Sequence, residues 1–317
     1  MTTARTRRDA APSAPPAPPA EATTARPGAR TDLLLLAVAI SGISLSAPLT
    51  ASIAAPALAI AFWRNAMAVG VLTPFAVLRH RAELRGIGRR ALLLTVAAGI
   101  LLGAHFAVWL LSLRMTSVAS STALVTTTPI WTTLLLRLRG HRPPALVWAG
   151  TVLAVLGVVI LTGVDLSVSP QALAGDALAL AGGLAAAGYV LLGAEVRRTV
   201  GTVAYTYVLY VTATVLLLAV CLLSGASLGG YSGGTWLKLA VLTVTAQLLG
   251  HSLINRVVKG LGPSVTSTAI LLETPGATLI AALWLGQLPS PAACPALAVI
   301  LAGLALVIMA DRAGRRR

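Results

Sequence analysis

Charge is scarce in this chain, and negative charge is scarcest: 10% of the 317 residues are Asp, Glu, Lys or Arg, and only 9 of them are acidic. A soluble domain of this length needs far more polar surface to cover its core, so a water-soluble globular fold is excluded. Cysteine is nearly absent. Cys221 and Cys294 lie in apolar surroundings without CxxC or Cys/His spacing, which excludes a disulfide framework and a metal site and predicts two buried small hydrophobes. No GxxxxGKS/T loop is present, so ATP-driven work by this chain alone is excluded. HExxH, GxSxG, a catalytic aspartate pair and any long polar loop are missing as well, which argues against an intramembrane enzyme and implies no cofactor. The period-two alternation of a membrane barrel is also lacking.

What fills the chain instead is apolar: 57% of residues are hydrophobic and the mean hydropathy is +0.87. A helix needs about 20 mostly apolar residues to cross the hydrocarbon core. Such runs fall at 32–53, 56–78, 91–113, 117–136, 145–162, 174–194, 203–223, 236–257, 264–285 and 291–310. The expected fold is therefore an all-α integral membrane protein of ten transmembrane helices, with the lipid bilayer as its first partner. Residues 1–30, rich in Pro, Ala, Thr and Arg, read as a disordered cytoplasmic tail, and 311–317 as a basic cytoplasmic tail.

The formal charge of +15 does not indicate nucleic acid, because the arginines cluster between apolar runs rather than along an amphipathic face. With both termini in the cytoplasm, all of the 24 Lys and Arg residues except Arg64, Arg114 and Lys238 lie inside. That parity places the chain in a bacterial-type inner membrane as a multi-pass protein.

Sliding the chain on itself by 146 residues aligns Ser121-Thr122-Ala123-Leu124-Val125-Thr126-Thr127-Thr128-Pro129 with Ser267-Thr268-Ala269-Ile270-Leu271-Leu272-Glu273-Thr274-Pro275. The same offset pairs His105 with His251, Gly140 with Gly286, Pro143 with Pro289 and Gly157 with Gly303. Two units, 31–165 and 166–310, are expected. Each holds five spans, an odd number, so the second enters the membrane upside down. Many secondary transporters are built this way, with the substrate near the midplane between the halves.

The run Gly103-Ala104-His105-Phe106-Ala107-Val108-Trp109 through Ala119, continued to Pro129 and Trp131, resembles the third-to-fourth helix signature of the drug/metabolite transporter superfamily, EamA type. Leu272-Glu273-Thr274-Pro275 and Leu285-Gly286-Gln287-Leu288-Pro289 are similar to the corresponding element of the second EamA repeat. Gln287 and His141 stand where the family often has an acid. The resemblance implies a ten-helix carrier, commonly an exporter of amino acids, metabolites or toxic compounds. A small-molecule substrate is thus a second partner, driven by a proton or ion gradient or simply equilibrated. A non-transporting membrane protein, such as a sensor or assembly factor, is the alternative, though the tail and loops are too small for an output domain.

Ionisable groups inside the membrane are costly and point to function. Glu273, mid-helix before Pro275, is a candidate to hold a substrate amine or a proton, or a structural carboxyl. Its repeat mate Thr127 is uncharged. Arg64 is a candidate to bind a substrate carboxylate, to pair with Glu273, or to snorkel outward beside Trp63. His105 and His251 either line the pathway or bond across a helix interface. Trp109 and Asn255, four residues further on, share their faces. Pro129 and Pro275 are expected to bend their helices, freeing carbonyls that nearby threonines can satisfy. Trp236 and Trp284 read as interfacial anchors.

Overall fold

The computed structural model describes residues 29–140, 144–254, 256–257, 270 and 272–315. Asn255, His141, the N-terminal tail and the Ser267-Thr268-Ala269 arm of the repeat lie outside them. Every regular element among the described residues is helical. In chain order these are α1 (Ala29–Ser44), α2 (Ser46–Ser52), α3 (Ala57–Arg79), α4 (Arg81–Arg85), α5 (Arg89–Ser112), α6 (Val118–Val125) and α7 (Thr128–Leu138). There follow α8 (Ala145–Val168), α9 (Pro170–Val196), α10 (Thr202–Ser224), α11 (Gly233–Leu242) with a π-helical continuation (Thr243–His251), α12 (Glu273–Leu285) and α13 (Ala293–Arg315).

Among the described residues, six stretches are long and apolar enough to cross a membrane: 31–52, 57–79, 89–112, 170–196, 202–224 and 233–254. Their starts are set locally. Ser169 accepts from the Ala172 N–H ahead of Pro170 at the first helical turn, and Ser232 accepts from the Thr235 N–H at the start of α11. Such hydroxyls satisfy amide groups that the helix leaves without partners.

The helices pack across the two halves of the sequence. The most extensive contacts join α8 to α13, α5 to α9, and α10 to both α3 and α5; α1 lies on the π segment, which α3 also meets, and α6 meets α12. In element order α1–α2, α3, α5, α6–α7 and α8 correspond to α9, α10, α11 with its π segment, α12 and α13. Exchanging the halves leaves this set of pairings unchanged, as a two-fold relation requires.

Repeat-related glycines do the same work twice. Gly157 and Gly303 sit on facing sides of the α8–α13 crossing. A Cβ on Gly157 would lie 2.8 Å from Ile300 N, and one on Gly303 would fall 2.7 Å from Gly150 O. In a lipid setting such close backbone approach replaces the hydrophobic drive between helices. Gly140 and Gly286 follow α7 and α12 with φ of +88° and +66°, the left-handed turn that ends a helix without a Cβ penalty.

Two of the three cations that depart from the positive-inside pattern have a structural task. The Arg114 guanidinium donates to Ile53 O (2.8 Å) and Ala55 O (2.9 Å), and Lys238 Nζ donates to Ser52 O (2.9 Å). Both satisfy carbonyls at the C-terminus of α2, where the helix dipole favours positive charge.

At the arginine-rich end, Glu83 on α4 accepts from the Gly201 N–H at the start of α10 (2.6 Å), while Glu195 lies 3.7 Å from Arg90 and 3.4 Å from Arg198. The Glu83–Gly201 and Arg90–Glu195 contacts tie one half to the other beside a cavity of about 620 Å³.

One expectation needs correction. Cys294 is exposed, not buried: it opens α13 beside a second cavity, of about 410 Å³, between α12 and α13. An apolar residue can face outward here because the surrounding solvent is lipid. Trp236 is more than an anchor, since it packs edge-on to Trp63 (4.9 Å) and against Tyr231 (5.5 Å). The Trp63 indole donates to Leu228 O (2.8 Å), joining the two halves at that end.

Candidate functional site

Arg64 heads the site. It lies two turns into α3 and is 0% exposed, so it does not snorkel to an interface. Burial of so large a cation is costly unless dipoles or charges surround it. Its Nε and Nη2 both donate to Gln247 Oε1 (3.1 and 2.9 Å), and Nη1 donates to Ser46 Oγ (3.2 Å). Its Cζ lies over the Phe106 ring, 4.2 Å from the ring centre. Gln247 is itself held, its Nε2 donating to Asn65 Oδ1 (3.4 Å) on the same helix as Arg64. Gln247 sits in the π-helical segment, so the guanidinium is gripped by α2, α3 and α5 from the first half and by one element of the second.

Glu273, the first residue of α12, acts on Arg64 electrostatically but does not touch it. Among the described residues, no carboxylate oxygen lies within 4.0 Å of the Arg64 nitrogens. Tyr210, Tyr189, His105 and His251 are also within electrostatic reach, and the Tyr210 hydroxyl faces Ser252 and Gln247.

The two candidate histidines border one aromatic cluster. His105 Nδ1 lies 3.0 Å from Gly182 O on α9; a carbonyl only accepts, so this nitrogen carries the proton. The ring stacks on Trp109 (5.6 Å) and is tilted against Phe106 (4.9 Å), while His251 meets Phe106 edge-on (6.2 Å). Phe106 thus links both histidines to Arg64.

Ahead of Pro129 the chain breaks rather than bends. Helix α6 ends at Val125 and α7 begins at Thr128, while α12 begins at Glu273, one residue from the repeat-equivalent position. Hydroxyls bond to the carbonyls at the end of α6: Thr126 donates to Ala123 O (3.0 Å), Thr127 to Leu124 O (2.6 Å) and Thr128 to Val125 O (3.0 Å). Thr133 donates to Pro129 O (2.9 Å). Pro129 and Pro275 lie in the first turns of α7 and α12, where the missing N–H costs nothing. Thr126 and Thr274 hydroxyls meet at 3.1 Å, closing the contact between α6 and α12. Thr127 is turned to its own backbone.

With a buried polar centre assembled from both halves, comparison with known proteins becomes informative. The EamA-like transporter family matches twice, over residues 31–163 and again over 173–309. The chain belongs to this family. A solved structure described only as the crystal structure of a protein is similar over 90% of this chain and 99% of its own, with 18% identity and a TM-score of 0.62. That likeness concerns the fold. No curated protein matches.

In this EamA member the sequence names Arg64, Glu273 and both histidines, but it misses Gln247, Ser46, Phe106 and Tyr210. One signal for Gln247 was present: it precedes His251 by four residues, and in a wide π turn those positions share a face.

Proposed function

We propose that this EamA-family membrane protein is a secondary carrier that exports a small metabolite, amino acid or drug by alternating access. Its ten helices form two inverted five-helix repeats, with both termini on the cytoplasmic side of a bacterial-type inner membrane. The observation that carries the reading is the Arg64 centre. Its partners come from both repeats, so a motion of one half against the other remakes the site and its exposure together. Arg64, His105, Thr127, His251 and Glu273 line the pathway, and the helices hinge at Pro129 and Pro275. Glu273 exchanges a proton or meets a substrate cation during the cycle. Export is favoured because it is the commoner direction in the family.

The test is solute counterflow in liposomes holding the purified full chain, with labelled amino acids, organic acids and organic cations. Saturable counterflow of at least one solute is expected, reduced about tenfold or more in Glu273→Gln, which corresponds to roughly 1.4 kcal/mol or more of lost stabilisation. Counterflow no greater than in protein-free liposomes for every solute refutes the carrier reading. Full counterflow in Glu273→Gln removes that residue from the mechanism. Single cysteines at Arg142 and Gln287 should label from opposite sides of the membrane; labelling from one side refutes inversion.

A further inference from the structure

The larger cavity, of about 620 Å³, lies where three candidate spans end: α5 starts there at Arg89, α9 finishes at Val196 and α10 starts at Thr202. Its size suits a small-molecule site, for which about 300–1,000 Å³ is usual. The arginine-rich end of a span stands among lipid headgroups. Leu92 and Leu93, 41% and 59% exposed, follow Arg89 and Arg90 along α5 and mark where the hydrocarbon begins. The cavity therefore lies at headgroup depth.

Its wall carries Arg89, Arg90 and Arg198 against two carboxylates, Glu83 and Glu195. Glu83 is spoken for, since one oxygen accepts from the Gly201 N–H and the other lies 3.2 Å from His80 Nδ1. Glu195 is shared between Arg90 at 3.7 Å and Arg198 at 3.4 Å, beyond the usual hydrogen-bond length. The Arg90 and Arg198 side chains are 85% and 77% exposed, so these pairs are weak and either guanidinium can turn to a better partner. Among the described residues no carboxylate lies within 4.0 Å of Arg89. One carboxylate thus serves three guanidiniums, whose planar forks suit the paired oxygens of a phosphate. Leu94 and Val200 line the same cavity, Leu94 more than a helical turn further into α5 than Arg89. Positive charge at the end of a span needs no walled cavity, and guanidiniums above an apolar lining match an amphiphile better than a free anion.

We infer that this cavity binds the phosphate headgroup of an anionic phospholipid, with Arg90 and Arg198 on the phosphate oxygens, Arg89 adding to the positive field, and the glycerol end against Leu94 and Val200. Basic pockets between spans hold such headgroups in membrane proteins generally. The phosphate takes the place of Glu195 on its two arginines, so that acid competes with the lipid. A lipid held there touches α5 of the first half and α9 and α10 of the second, and so fastens the two halves together. The inference requires only that the chain spans a membrane and is independent of the carrier reading.

The experiment is native mass spectrometry of the detergent-purified full chain titrated with phosphatidylglycerol or with phosphatidylcholine of the same acyl chains, and with glycerol phosphate as competitor. The first phosphatidylglycerol should bind saturably and at least about tenfold more tightly than phosphatidylcholine, whose ammonium cancels the charge of its phosphate. Glycerol phosphate should need at least about a tenfold excess to displace it, because it lacks the apolar part. Replacing both Arg90→Gln and Arg198→Gln should weaken the first phosphatidylglycerol about tenfold or more. Replacing both Arg137→Gln and Arg139→Gln makes the same change in net charge on exposed arginines outside the cavity, and should change binding by no more than about twofold. Glu195→Gln, which frees both guanidiniums, should tighten binding about threefold. The inference is overturned if phosphatidylcholine binds as tightly as phosphatidylglycerol, if the Arg137 and Arg139 pair matters as much as the cavity pair, or if Glu195→Gln fails to tighten binding. Displacement by glycerol phosphate at equal concentration would assign the cavity to a soluble phosphate ester and overturn the lipid.

Discussion

Replacing Gln247 by Leu removes the acceptor of two hydrogen bonds from a cation that has no water to turn to. Neutral interhelical hydrogen bonds in membranes average only about 0.6 kcal/mol, because the unfolded chain finds other partners. A bond to a charged group is worth roughly 1.5–3 kcal/mol, and stranding a buried donor adds its desolvation cost. One oxygen serves both donors here, so the two bonds are not independent, and a loss of about 3 kcal/mol is expected rather than twice that. In the folding equilibrium that is on the order of a hundredfold. The assay is reversible unfolding of the full chain from dodecyl maltoside into SDS, followed by helical circular dichroism. Measuring Gln247→Leu again in an Arg64→Met background closes a double-mutant cycle. With no cation left to strand, the second substitution should cost at least about 2 kcal/mol less. If the two losses agree within about 0.5 kcal/mol, the pair is uncoupled and the structural account of Arg64 fails.

Two further expectations concern packing and capping. Gly303→Ala should lower stability by about 1–3 kcal/mol, because its methyl would run into the α8 backbone, whereas Gly70→Ala, with open space around it, should gain roughly 0.5–1 kcal/mol from helix propensity. The same unfolding assay compares them, and equal effects would show that the α8–α13 crossing does not depend on close approach. Arg114→Met and Lys238→Met should each cost up to about 1 kcal/mol, with the joint loss smaller than the sum because both serve the C-terminus of α2. Strict additivity would mean the two caps act independently.

Much of the architecture could be read before any coordinates. The apolar runs set where the helices lie, to within a few residues at 57–79, 89–112 and 202–224. The 146-residue offset paired Gly140 with Gly286 and Gly157 with Gly303, and each pair does one job in both halves. Trp109 stacks on His105 as its position four residues on suggests. Other features resisted. A proline signals a disturbed helix, but whether the chain bends or breaks depends on which hydroxyls can reach the freed carbonyls, and Thr126, Thr127 and Thr128 made a break affordable. Gln247 was overlooked because a helix apolar all round gives periodicity no face to favour.

The sequence alone determined that the chain lives in a membrane and that its plan is doubled. Hydrocarbon tolerates only backbones whose hydrogen bonds close within the helix, and a repeated pattern of glycines and prolines folds the same way twice. Tertiary structure alone decided what surrounds the buried cation. Arg64 and Gln247 lie 183 residues apart, and nothing local favours an amide over the carboxylate of Glu273 as its contact. Only the packing of α3 against the π-helical segment brings the amide into reach.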